Sequence, residues 1–342
     1  MPKIEYKKIR FILFAFFLIF GFQTRGMISS EKSFTSSSLF YKTIFLRSSR
    51  GYVSINDEQI NHYSIALKRA GRLIILDAII DGVSGNLILD TGSAELVLNS
   101  IYFRDSNRRT QLTAGGITGS TGVVSATKTD SIRIAELNFS NQRANVTDLG
   151  HIEKARNIKV LGFFGLKMLN DFEVMIDLKN NYLELHRLHF SGRRMNDKME
   201  LPVYDLELDA RVQQSVFFIE GTINRKKLTF CLDTGAETNV IGNHLPDKVL
   251  NTVSILRRSE MSGAGNRKIE VLHGIMNDFI ISRKKIKGMN ILITNMYKMS
   301  KFYGVRIDGM LGCDFLEKGV FYINLKKEMI GIVLNEEEKN EN

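Results

Sequence analysis

Two short segments of this 342-residue chain place an aspartate in the same setting. The first is Asp90-Thr91-Gly92-Ser93, preceded by Leu87-Ile88-Leu89; the second is Asp233-Thr234-Gly235-Ala236, preceded by Phe230-Cys231-Leu232. A single Asp-Thr-Gly is ordinary turn chemistry, because Asp accepts backbone N–H bonds and Gly permits a positive φ. It arises by chance in roughly one chain of this length in ten to twenty. Two copies in matching apolar frames carry more weight. Each run delivers a carboxylate to the boundary of a core, where burying an unpartnered charge is costly. A duplicated fold with a pseudo-two-fold axis offers a solution, since it brings the two equivalent turns together. Two carboxyl groups about 3 Å apart cannot both ionise and share one proton. One then serves as a base for water and the other as an acid for a carbonyl oxygen. Those are the roles that amide hydrolysis needs without a metal or a covalent nucleophile, and the pair titrates jointly.

The duplication reaches beyond the tripeptides. Residues 85–98 superpose on 228–241 at a shift of 233 − 90 = 143, apolar on apolar at most positions, with Leu96 against Asn239 an exception. A second block, Phe163-Phe164-Gly165 through Lys179, repeats as Met310-Leu311-Gly312 through Lys326 at a shift of 312 − 165 = 147. The second half therefore holds a net four extra residues between the blocks (147 − 143). Cys231 falls where the first half has Ile88 and Cys313 where it has Leu166. Both positions predict buried free thiols, even though an exported chain could form a disulfide.

The elements that must position these residues read as strands. Short runs of Val, Ile, Leu and Phe are broken by Gly, Asn, Asp and Ser clusters. The pattern predicts strands at Leu73–Ile80, Leu87–Asp90, Ile132–Leu137, Val216–Ile223 and Met289–Ile293, with one or two helical turns at Leu166–Asn170 and Asp314–Lys318. The expectation is an all-β chain of two lobes, residues 59–190 and 199–335, joined near Ser191–Lys198.

At this point the chain resembles the aspartic peptidases of the pepsin and retroviral type. The resemblance rests on the two Asp-Thr-Gly turns, each followed downstream by two apolar residues and a glycine, Gly165 or Gly312. It covers nearly all of residues 60–335. Lobe size and Ala236 are closer to the retropepsin-like branch, Ser93 to the pepsin-like one. The resemblance implies a bilobal acid-protease fold of two pseudo-symmetric, barrel-like lobes with the active site between them. It implies that Asp90 and Asp233 are catalytic. It implies that Thr91 and Thr234 bond across the lobe interface, that Gly92 and Gly235 admit close backbone approach, and that Gly165 and Gly312 pack beside the catalytic turns. It further implies flaps at Gly115, Gly116 and Ile117 and at Gly263 and Gly265, although each also reads as a plain hairpin loop. No Tyr lies between Leu112 and Val124, unlike pepsin-like flaps. Ser93, able to donate to the outer oxygen of Asp90 where Ala236 offers nothing, predicts that Asp90 carries the charge and Asp233 the proton.

Composition sets the remaining bounds. An apolar share of 44% and a charged share of 25% are those of a globular protein. The net charge of +10 includes +4 from residues 1–26 (Lys3, Lys7, Lys8, Arg10 and Arg25 against Glu5), and no run of five Lys/Arg exists, which argues against nucleic-acid binding. The acidic run Glu336–Glu338 reads as a solvated tail. The basic start and the apolar run Phe11–Phe22 predict a signal peptide or an N-terminal membrane anchor within 1–26, with 27–58 a linker or pro-segment. The expected compartment is therefore outside the cytoplasm: periplasmic, secreted or membrane-anchored. Six scattered His residues without HExxH, and two Cys without ligand spacing, predict no metal and no cofactor. The expected partner is a peptide or unfolded protein, bound by a monomer that holds its whole dyad. A silent peptide- or partner-binding protein on the same fold is the alternative.

Overall fold

The computed structural model of the chain describes residues 17–18, 61–103, 112–116, 119–196, 199, 201–262 and 268–340. Three sheets organise them, and most of the predicted apolar runs become strands packed on a core. Leu73–Ile80 and Val216–Ile223 form as predicted, and Leu87–Asp90 proves to be the end of a longer strand, Val83–Leu89. The stretch Ile132–Leu137 is not one strand. Ala135 adopts a positive φ of 49°, and a tight turn there joins Gly119–Ile134 to Leu137–Thr147.

Each lobe is built on the same frame. In the first, Val83–Leu89 lies between Leu73–Ile80 and the parallel strand Val160–Phe164. In the second, Lys226–Leu232 lies between Val216–Ile223 and the parallel strand Gly309–Leu311. The first lobe curls into a barrel where Ile79 and Ile80 pair with Arg133 and Ile132. At the equivalent place Ile223 pairs with Phe279. The shift is 143 from Ile80 to Ile223 but 147 from Ile132 to Phe279, so the extra four residues fall between Asn99 and Ile132 of the first-lobe frame. That is the hairpin region of the lobe.

The third sheet is shared, which the sequence did not foretell. Its six strands run Leu206–Asp209, Met329–Leu334, Gly319–Asn324, Phe172–Asp177, Tyr182–Arg187, His62–Ala66, half of them from each lobe. At its centre Phe172–Asp177 pairs antiparallel with Gly319–Asn324. Met175 faces Tyr322, its own equivalent at the 147 shift, while Val174↔Ile323 maps onto Ile176↔Phe321. A pair that maps onto itself marks a two-fold axis. The predicted junction near Ser191–Lys198 docks on this sheet: Arg194 bonds Glu173 at 2.6 and 2.8 Å, and Asn324 bonds both Glu173 and the Gly192 carbonyl.

The two predicted helical turns form at Leu166–Leu169 (3-10) and Cys313–Leu316. Four further helices among the described residues, Gly150–Arg156, Asp247–Leu250, Tyr297–Tyr303 and Glu336–Asn340, were not predicted. None exceeds seven residues, too short for helical periodicity to show. Cys231 and Cys313 are buried free thiols, Cys313 bonding the Arg72 carbonyl at 3.0 Å.

No helix among the described residues is long and apolar enough to cross a membrane. The predicted leader or anchor (1–26) and linker (27–58) lie outside the described residues, except that Phe17 and Leu18 pair antiparallel with Gly115 and Ala114.

Candidate active site

Asp90 and Asp233 each follow the last residue of a strand whose parallel neighbour holds the turn in place. The Asp90 amide donates to the Phe164 carbonyl at 3.0 Å and the Asp233 amide to the Leu311 carbonyl at 2.9 Å. Inside each turn the glycine amide donates to its own aspartate: Gly92 to Asp90 Oδ1 at 2.9 Å, and Gly235 to Asp233 Oδ1 at 2.8 Å. The backbone approach expected of these glycines is present. A Cβ on Gly92 would lie 2.6 Å from the Asp233 carboxyl carbon, and one on Gly235 2.9 Å from that of Asp90. Each glycine thus faces the other lobe's carboxylate at a distance only hydrogen allows.

The two threonines lock the turns together. The Thr91 amide donates to Thr234 Oγ1 and the Thr234 amide to Thr91 Oγ1, both at 2.9 Å. Their hydroxyls donate onward across the axis, Thr91 to the Leu232 carbonyl at 2.9 Å and Thr234 to the Leu89 carbonyl at 2.7 Å. All four bonds are buried and cross from lobe to lobe. Thr91→Val should therefore strand the Thr234 amide and the Leu232 carbonyl, at a cost of about 3 kcal/mol. Thr91→Ser should keep both bonds. Denaturant midpoints of the two variants check this, and equal midpoints would contradict it.

Gly165 and Gly312 stand where the resemblance implied, against the outer side of the turns. A Cβ on Gly165 would lie 2.4 Å from the Ser93 carbonyl oxygen, and one on Gly312 the same distance from that of Ala236. Asn239, the polar exception to the repeat, is buried and accepts the Gly312 amide at 2.9 Å. Its mismatch with Leu96 is thus hydrogen-bonded rather than wasted.

Both carboxyl groups are fully buried and within hydrogen-bonding reach of each other. Burial, then the Asp233 charge and the bond to it, hold Asp90 well above the ordinary carboxylate range. Burial pushes Asp233 up to about 6, opposed by the bond from Asp90 and by the amides of Gly235, Ala236 and Gly92. This reverses the expected division of charge. The Ser93 hydroxyl does not serve Asp90; it donates to the Glu95 carbonyl at 2.8 Å, a local bond two residues away. Each carboxylate takes one bond from the glycine amide of its own turn, and the stronger upward push on Asp90 leaves the proton there and the charge on Asp233. The Oδ2 atoms of both residues are buried without a protein hydrogen-bond partner.

The predicted flaps are hairpins in both lobes. Leu112–Gly116 pairs with Gly119–Ile134, bringing Gly116 opposite Gly119 and Gly115 opposite Ser120. Val253–Ser262 pairs with Lys268–Met276. Ile117, Gly263 and Gly265 lie outside the described residues.

Sequence reasoning missed two contacts made by the unpredicted helices. Arg156 and Tyr303, last residues of Gly150–Arg156 and Tyr297–Tyr303, are equivalent at the 147 shift. Both reach across the axis to the opposite turn. The buried Tyr303 hydroxyl donates to the Gly92 carbonyl at 3.1 Å, while Arg156 pairs with Glu237, just past Ala236. An Arg and a Tyr share no residue type, so only position could have linked them. Other ion pairs join the halves, Arg72 to Asp314 at 2.6 Å and also to Glu317.

Residues 219–315, which contain the second turn and Gly312, match a family model described as aspartyl protease. No curated protein matches the chain. A solved structure of an aspartic proteinase from Irpex lacteus is similar over 80% of this chain and 98% of that chain, at 11% identity and a TM-score of 0.47.

Proposed function

We propose that this chain is an aspartic endopeptidase that activates water between Asp90 and Asp233. The carrying observation is the pair of buried carboxyl groups, presented by equivalent turns, with both Oδ2 atoms free to accept. A water held between them loses its proton to charged Asp233 as its oxygen attacks the peptide carbonyl carbon. The proton of Asp90 passes to the carbonyl oxygen, giving a neutral tetrahedral diol. In collapse Asp233 gives its proton to the departing nitrogen, Asp90 takes one back from a diol hydroxyl, and the C–N bond breaks to leave an acid and an amine. The lobe-crossing bonds of Thr91 and Thr234 hold the carboxyl groups in place, so little reorganisation accompanies the step. No covalent intermediate forms on the protein.

The substrate is an extended peptide or unfolded segment, held by backbone hydrogen bonds in strand-addition style. The basic, apolar N-terminus supports action outside the cytoplasm, with the chain exported or anchored there. A complete dyad within one chain supports a working monomer.

The test is cleavage of a mixed peptide library by the purified chain, with and without a peptide mimic bearing a hydroxyl at the scissile position. Such a mimic resembles the tetrahedral diol and should bind at least about 10²-fold more tightly than a substrate of equal length. Cleavage blocked by the mimic is the expected result. A chain that neither cuts the library nor binds the mimic would be a silent binding protein instead.

A further inference from the structure

The shared sheet carries a second group of chemistry-bearing side chains, separate from the dyad. His62, on the edge strand His62–Ala66, stands directly opposite His186 in the register, and Glu184 lies two residues before His186. Alternation along paired strands puts all three on one face. Nε2 of His62 and Nε2 of His186 each stand 3.3 Å from Oε2 of Glu184. One ligand atom from each residue falls within 4.8 Å of the others, and the two rings stack.

These separations discriminate between two arrangements. A charge-assisted bond from an imidazole N–H to a carboxylate would measure about 2.7–2.9 Å. Two ligands at about 2.0–2.1 Å from a tetrahedral ion are about 3.3 Å apart, as both His–Glu184 pairs are; the widest separation in the cluster, 4.8 Å, must close by about 1 Å or more for all three to bind one ion. Hydrogen bonding also leaves the cluster incomplete, since Nε2 of His62 and Nδ1 of His186 are buried without a hydrogen-bond partner. A carboxylate set between two imidazole edges, with a ring nitrogen unbonded, suits metal ligation better than a closed hydrogen-bond network.

We propose that His62, Glu184 and His186 bind a divalent transition-metal ion of the zinc type. Two imidazoles and one carboxylate suit such an ion better than they suit calcium or magnesium. The neighbours fit. Glu173, beside His186 on the next strand, is engaged by Arg194 and Asn324. It thereby neutralises the one guanidinium that faces His186. The side chains of His62 and Glu184 are 30% and 22% exposed, so the cluster lies near enough to the surface for an ion to enter. The ion would tie the edge strand to Tyr182–Arg187 and so fasten the start of the first lobe to the sheet that joins both lobes. Its role is structural, and it takes no part in peptide hydrolysis.

The experiment uses the full chain, stripped with a chelator and then dialysed against Zn²⁺ or Co²⁺. The parent should take up about one ion per chain, give the visible absorption of tetrahedral Co²⁺, and melt at a higher temperature with Zn²⁺ present. His62→Ala, at a partly exposed edge position that should still fold, and Glu184→Gln should each lose uptake, absorption and the rise in melting temperature. Asp90→Asn should keep all three, which separates this site from the dyad. Sub-stoichiometric uptake by the parent, or uptake unchanged in both His62→Ala and Glu184→Gln, would overturn the proposal.

Discussion

Asp233→Asn is expected to lower kcat/KM for peptide cleavage by about 10⁴-fold or more while leaving the chain folded. An amide cannot take the proton from water, and the remaining carboxyl of Asp90 has no charged partner to share with. Asp90→Asn should have an effect of the same order, because the two residues act as one unit. Stability should respond in the opposite sense. Burial holds Asp233 at about 6 against an ordinary 3.8, so the folded chain keeps a proton that the unfolded chain has released. A group raised in this way contributes stability that is complete below about 3.8 and is lost as pH climbs through about 6. The melting temperature of the parent should therefore fall between about pH 4 and about 6, and Asp233→Asn should lack that part of the fall. Parallel melting curves for parent and variant across this window would mean that the carboxylate is solvated. Cleavage that survives the substitution would remove the proposed mechanism.

The second large effect concerns folding rather than chemistry. Gly312→Val should destabilise the chain by about 3 kcal/mol or more, and soluble yield should fall sharply. The new Cβ would stand 2.4 Å from the Ala236 carbonyl oxygen, which belongs to the turn carrying Asp233. That oxygen also accepts the Cys313 amide at 2.8 Å, so it cannot retreat without breaking a bond. Gly165→Val meets the Ser93 carbonyl in the same way and should behave alike. Valine at Gly82, where nothing lies within 4 Å of the added Cβ, isolates the steric effect from the backbone one. Gly82 has φ of +82°, so its cost is conformational strain alone, about 1–2 kcal/mol. Equilibrium unfolding of the three variants tests the order, and a Gly312 variant no less stable than the Gly82 one would refute the packing argument.

Some of this protein was decided within the sequence. The duplicated Asp-Thr-Gly turns, the apolar strands before them and the two glycines beyond are local patterns, and local sterics and alternation suffice to read them. The same holds for Thr91 and Thr234, whose roles repeat with the motif. The division of charge between Asp90 and Asp233 was not legible. It depends on how folding buries and couples the two carboxyl groups, and the Ser93 hydroxyl, the residue-type difference visible in sequence, turned to the Glu95 carbonyl instead. Arg156 and Tyr303 were invisible because helices of seven residues show no period and their partners lie 81 and 211 residues away. The cluster of His62, Glu184 and His186 was hidden for a related reason: two ligands share a strand, but the third comes from another, paired to it by the shared sheet. Side-chain type and short-range spacing set what each lobe could do, whereas contacts between distant strands set where charge, support and further binding groups come to rest, because only folding brings those atoms within reach of one another.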